Sequence, residues 1–128
     1  MIKGFDDTCK EAGTLVTGGQ SVRNPWPMIG GCAIAHVDRD QYLPPTRAEV
    51  GDVLILTKPL GTQVAVQFNA KKKDYPELSE VIEETYGYAC ESMATLNNSH
   101  KDLFDKMNAS TDVTGFGLAG HAQYLLNV

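Results

Sequence analysis

The sequence predicts a protein that mixes strands with helices, on three observations. Two apolar runs, Met28–Val37 and Val53–Thr57, have the length of strands. The second is continuous, as in a strand covered on both faces of a sheet. A stripe of Leu78, Ile82, Thr85, Ala89, Met93 and Leu96 steps by three or four residues, the period of a helix with one buried face. Turns that contain glycine lead into further helical patterns after Lys58 and after Thr114.

Composition narrows the function classes. The chain has 128 residues, 42% hydrophobic and 21% charged, an ordinary globular balance. Its net charge of −5 argues against a nucleic-acid partner, because phosphate contacts need clustered Lys and Arg. The one basic run, Lys71-Lys72-Lys73, is followed by Asp74 and Glu77 and reads as a solvated loop. Cys9, Cys32 and Cys90 lie far apart with no C-x-x-C, a pattern that suits a reducing compartment. No apolar run approaches the ~18 residues of a membrane span. No apolar stretch of a leader follows Met1, so a cytoplasmic protein without a membrane partner is expected.

Along the chain, Ile2, Phe5, Cys9 and Ala12 predict a short amphipathic helix with Cys9 as a structural thiol on its apolar side. Leu15 and Val16 suggest a strand that Gly18-Gly19 break before Gln20. A bulge and a close approach to a ligand are both compatible with that glycine pair. Arg23 to Pro27 reads as a stiff extended connector, since proline pushes the residue before it out of the helical region. Met28–Val37 is expected to be a strand with a bulge at Gly30-Gly31, and His36 to be a hydrogen-bonded structural histidine. Glu49 to Asp52 turns the chain into Val53–Thr57 and opens a second domain. A helix over Gln63–Ala70 follows, and Tyr75-Pro76 opens the longest helix. Cys90 and Met93 are expected in its core face, and Glu77, Glu80, Glu83, Glu84 and Glu91 on its solvated face. A shorter segment carries Leu103, Phe104 and Met107.

The most informative stretch is Ser110–His121. Asp112 is a hard oxygen donor of the kind Mg²⁺ takes. Gly115 and Gly117 let the backbone turn or come close to a ligand. Leu118, Ala119, Ala122, Leu125 and Leu126 then mark one face of a helix, whose N-terminus favours phosphate. Gly115-Phe-Gly117-Leu-Ala-Gly120 is a literal G-x-G-x-x-G, but the residues before it make a poor strand. The dinucleotide fingerprint needs that strand, so it is set aside; a polar turn that caps a packed helix and a metal–phosphate corner both stay open from these residues alone.

Four segments, read together, resemble selenophosphate synthetase (selenide, water dikinase): TGGQ at Thr17–Gln20, NPW at Asn24–Trp26, GDVLILTKPLGTQVA at Gly51–Ala65 and TDVTGFGLAGH at Thr111–His121. Their order and spacing match across almost the whole chain, and Gln20 with the NPW segment is similar to the eukaryotic branch. The family shares a superfamily with aminoimidazole-ribonucleotide synthetase. The resemblance implies an α+β fold of mixed-sheet, two-layer domains, incomplete in these 128 residues. Residues 1–48 would be the C-terminal part of an N-terminal domain that binds ATP and pairs into a homodimer. Residues 49–128 would be the N-terminal part of the C-terminal domain. It further implies that Gly18, Gly19 and Gln20 contact ATP from the partner subunit, that Asp112 binds Mg²⁺, and that Thr114, Gly115 and Gly117 lie near the phosphates. The implied reaction converts ATP, selenide and water into selenophosphate, AMP and phosphate.

Lys58 and Thr62 match the family's pattern without an assigned role. The family's nucleophilic Cys or selenocysteine, its neighbouring Lys and further Mg²⁺-binding Asp residues precede the matched part. The chain is therefore expected to hold no catalytic nucleophile and to be inactive alone. The competing readings are a non-catalytic ATP-binding paralogue, another ATP-dependent enzyme of the superfamily, and a structural dimerisation module.

Overall fold

The computed structural model describes residues 1–98 and 101–126, with side chains for all of these but 101 and 102. Among the described residues there are four α-helices: α1 (Ile2–Glu11), α2 (Thr62–Ala70), α3 (Ser79–Ala94) and α4 (Gly117–Leu126). Short 3₁₀ turns occupy Pro45–Arg47, Lys72–Asp74, Pro76–Leu78 and Lys101–Lys106. The chain forms two compact units, each built from two stretches of sequence: Met1–Met28 with Leu56–Ser99, and Ile29–Ile55 with His100–Val128.

In the first unit, α1 forms where the apolar spacing predicts it. Its polar side carries ion pairs between Lys3 and Asp7 and between Asp6 and Lys10, the latter at 2.6 Å. Such exposed pairs four residues apart contribute only a few tenths of a kcal/mol. The packed element of this unit is the pair α2–α3. Ala65 from α2 and Ile82 and Ala89 from α3 are buried, and small alanines let the two helices approach closely. Gly61 starts α2 at φ 110°, a left-handed turn that favours glycine. The Phe68 and Tyr75 rings sit 5.7 Å apart in a tilted arrangement at the end of α2. Lys72 pairs with Glu83 on the surface, and all five glutamates of the expected solvated face are exposed.

The predicted stripe is covered only in its middle. Ile82 and Ala89 are buried, whereas Leu78, Thr85 and Met93 are exposed and Cys90 is half-buried. At the two ends the reason is length: α2 has 9 residues against the 16 of α3 and cannot cover both; Thr85, between the buried pair, is exposed with its hydroxyl donating to the Val81 carbonyl. The helix also starts later than the stripe, because Pro76 sits in a 3₁₀ turn ahead of it. All three cysteines are free; Cys9 is half-buried on α1 and Cys32 is exposed.

The expected strands at Leu15–Val16, Met28–Val37 and Val53–Thr57 are not present among the described residues. Ile34 is 91% exposed and Val53 81%, so these runs bury nothing here. A strand is stable only when a neighbour pairs its N–H and C=O groups and a layer covers its side chains. Apolar sequence supplies the propensity for a strand but not those partners. His36, expected as a structural histidine in one of these runs, is exposed.

Lys58 joins the start of this second sequence stretch to the end of α3. Its ammonium donates to the carbonyl oxygens of Ser92, at 2.6 Å, and of Thr95. Thr95 is the C-cap residue of α3 and has left the helical region. The last carbonyls of a helix lack intrahelical partners and carry partial negative charge, so a lysine there satisfies both needs. Lys58→Met is expected to destabilise the protein by about 1–2 kcal/mol, read as a lower Tm by calorimetry. Lys58→Arg should recover most of that loss, which a role for the aliphatic stem alone would not explain.

Candidate functional site

The residues predicted to meet a nucleotide fall in two places. Gly18, Gly19 and Gln20 belong to the unit that holds α1–α3, in exposed irregular backbone. Asp112, Thr114, Gly115 and Gly117 belong to the other unit, together with α4.

Around Asp112 the local order is detailed. Residues 107–113 form no helix or strand, which leaves their polar groups to side-chain partners. The Thr114 hydroxyl donates to Asp112 Oδ2 at 2.8 Å. The Thr111 hydroxyl approaches Oδ1 at 3.5 Å. The Gly117 N–H donates to the Thr114 carbonyl at 3.0 Å and closes the turn into α4. Gly117 sits at φ 67°, the left-handed conformation that glycine adopts without cost. One N–H at the start of α4 is thus used by the turn itself.

His121, one turn into α4, is the buried residue of that helix. Its Nε2 accepts the backbone N–H of Thr114 at 3.0 Å. Its Nδ1 faces Asp112 Oδ1 at 3.8 Å, too long for a hydrogen bond but close enough for attraction. The Phe116 ring lies tilted over the imidazole at a centroid distance of 5.5 Å. Gly120 makes this packing possible, because a Cβ added there would stand 2.8 Å from the Phe116 Cβ. The third glycine of the literal G-x-G-x-x-G therefore serves packing within the turn.

The Asp112 carboxyl is held below its ordinary pKa. The hydrogen bond from the Thr114 hydroxyl is the main cause; partial desolvation opposes it, and the Asp112 N–H, His121 and the Thr111 hydroxyl add to the lowering. An acid depressed in the folded state stabilises it fully above the unfolded pKa of about 3.9. That contribution is lost as pH falls below this value through the folded pKa. The carboxylate is thus ionised and exposed at neutral pH, as a cation ligand must be.

The sequence contained Asp112 and the glycines as candidates but not the contacts of Lys58 and His121. The D-x-T spacing of Asp112 and Thr114 is a legible signal, since a hydroxyl two residues on can reach the carboxylate. No local signal marks His121 as the acceptor for an N–H seven residues earlier. A groove of about 340 Å³ in this unit runs between Leu43, Arg47, Glu49 and Met107, and none of the predicted residues lines it. The Asp112 corner is an exposed surface.

Two variants test this local architecture. Thr114→Val removes the hydroxyl donor and is expected to raise the Asp112 pKa toward the ordinary carboxylate value, followed by a ¹³C-carboxyl NMR titration. An unchanged value would assign the depression to another group. Gly120→Ala gains about 1 kcal/mol of helix propensity but forces Phe116 to shift, at about 1–3 kcal/mol. The expected net is a loss of stability, measured as a lower Tm, with a changed Thr114 amide shift.

Comparison with known proteins shows what the chain is similar to. The family model described as AIR synthase related protein, C-terminal domain, matches residues 49–128. Selenide, water dikinase of Dictyostelium discoideum is 44% identical over 135 residues, covering 98% of this chain and 37% of that protein. Selenide, water dikinase 2 of Homo sapiens is 48% identical over 137 residues, covering 98% of this chain and 30% of that protein. Selenide, water dikinase of Trypanosoma brucei brucei is 44% identical over 137 residues, covering 98% of this chain and 35% of that protein. The chain thus spans about a third of the length of these curated relatives. No solved structure matches it significantly.

Proposed function

The chain belongs to the AIR synthase related family, and on that premise we propose that it is the central part of a selenide, water dikinase. The observation that carries this reading is identity of 44–48% over nearly the whole chain to relatives of that name. The whole protein would make selenophosphate from selenide, ATP and water, with AMP and phosphate as by-products. Residues 1–48 would complete an ATP-binding and dimerisation domain, and residues 49–128 would begin the C-terminal domain. The mixed sheet of such domains would draw the apolar runs Met28–Val37 and Val53–Thr57 into pairing with strands from the rest of the polypeptide or from a second subunit. A cytoplasmic homodimer is the setting this reading implies.

The Asp112 corner fits one ligand of a magnesium ion. Its carboxylate is ionised and exposed, and each oxygen keeps lone pairs beyond those its neighbours use. Among the described residues no three His, Cys, Asp or Glu side chains gather into a complete metal site. Magnesium is commonly held by one or two carboxylates plus the phosphates of the substrate, so one aspartate is a sufficient share for this segment. When bound, Mg²⁺ neutralises the charge of the polyphosphate and orients it. Thr114 holds Asp112 Oδ2 in place, and Gly115 and Gly117 would allow the phosphates to approach the backbone. Gly18, Gly19 and Gln20 would contact ATP across the subunit interface.

In the full-length enzyme, Asp112→Asn keeps the size of the side chain and removes its charge. It is expected to lower Mg²⁺-dependent ATP consumption by on the order of 10²-fold while Tm moves little. Matching losses of activity and thermal stability would reduce Asp112 to a turn-forming residue.

A further inference from the structure

We propose that His121 is a positioning residue for the metal ligand, through a single enforced tautomer. Three observations lead there. His121 is buried, at 5% exposure, beside the exposed Asp112, Thr114 and Phe116. Its Nε2 lies 3.0 Å from the Thr114 amide nitrogen, which can only donate. Its Nδ1 lies 3.8 Å from Asp112 Oδ1, which as a carboxylate oxygen can only accept.

A neutral imidazole has one donor nitrogen and one acceptor nitrogen. Placing the proton on Nε2 would set it against the Thr114 N–H and leave two acceptors, Nδ1 and Oδ1, facing each other. Placing it on Nδ1 gives the Thr114 N–H its acceptor and sets a donor rather than a second acceptor on the side of Oδ1, at 3.8 Å an attraction and not a hydrogen bond. The Thr114 hydroxyl, 3.3 Å from Nε2, donates to Asp112 Oδ2 and keeps lone pairs that a protonated Nε2 could use, but that tautomer would leave the Thr114 N–H, 3.0 Å away, facing another donor with no acceptor. The ring therefore links the two ends of the corner. Its acceptor fixes the backbone of Thr114, whose hydroxyl fixes one carboxylate oxygen, and its Nδ1 lies 3.8 Å from the other oxygen. The Phe116 ring lies beside the imidazole, tilted at a centroid distance of 5.5 Å. Partners that orient a metal-binding carboxylate in this way typically affect metal affinity 10–100-fold.

The role toward Mg²⁺ rests on the functional reading above, whereas the tautomer does not. Long-range ¹H–¹⁵N NMR of the full-length protein should show a protonated Nδ1 and an unprotonated Nε2 at His121. The reverse pattern overturns the proposal without any variant. Binding of Mg²⁺ with a non-hydrolysable ATP analogue is then measured by calorimetry on the wild type, His121→Leu, His121→Gln and Asp112→Asn. Leu is expected to weaken binding about 10–100-fold. Gln, whose amide oxygen can take the place of Nε2, is expected to stay within about 10-fold of the wild type. A drop with Asp112→Asn but none with His121→Leu sinks the positioning role alone. Gln as weak as Leu, with both folded by their Tm, also sinks it, because packing and not the acceptor would then matter. Wild-type affinity in Asp112→Asn sinks the functional reading, and the positioning role with it, while leaving the tautomer to the NMR result.

Discussion

The hydrogen bond from the Thr114 N–H to His121 Nε2 is the contact on which the rest of the candidate site depends. It ties an irregular segment to the first turns of α4 and so sets where Thr114 stands. From there the Thr114 hydroxyl holds Asp112, and its carbonyl receives the Gly117 N–H that starts the helix. Each of these groups would otherwise be a loop dipole free to turn toward water. Burial of the imidazole lowers the local dielectric and strengthens the bonds it makes. An ionised carboxylate held by named partners is thus obtained from a stretch with no regular structure of its own.

The first unit is organised differently. Its order comes from the α2–α3 contact, where Ala65, Ile82 and Ala89 are buried, and from Lys58 at the end of α3. Lys58 lies in a segment that resembles the family's pattern, yet its ammonium is occupied by backbone carbonyls. That contact accounts for a cation at this position by helix termination alone. A motif residue need not touch substrate to be required by the fold that carries the motif.

The chain spans about a third of the length of the selenide, water dikinases it is similar to. The exposed Asp112 corner holds one ionised carboxylate with its supports. Exposed apolar residues at Ile34 and Val53 through Leu56 are costly in water unless other layers cover them.

Much of this was legible in the residues themselves where the physics is local. The apolar periods of α1, α2, α3 and α4 appear directly in the sequence, because helix hydrogen bonds join residues four apart. The D-x-T spacing and the glycines of the turn are equally local, and so is the absence of any cysteine motif. What the tertiary structure alone decided involves partners distant in sequence. Periodicity names a face but not how far a neighbour covers it, so Met93 and Leu78 proved exposed beyond the reach of α2. The strand-like runs needed ladders that no spacing specifies. Lys58 found carbonyls 34 and 37 residues away. His121, to the sequence a helix residue standing behind the Asp112 corner, became the buried link of that corner because α4 packs it against the segment before it.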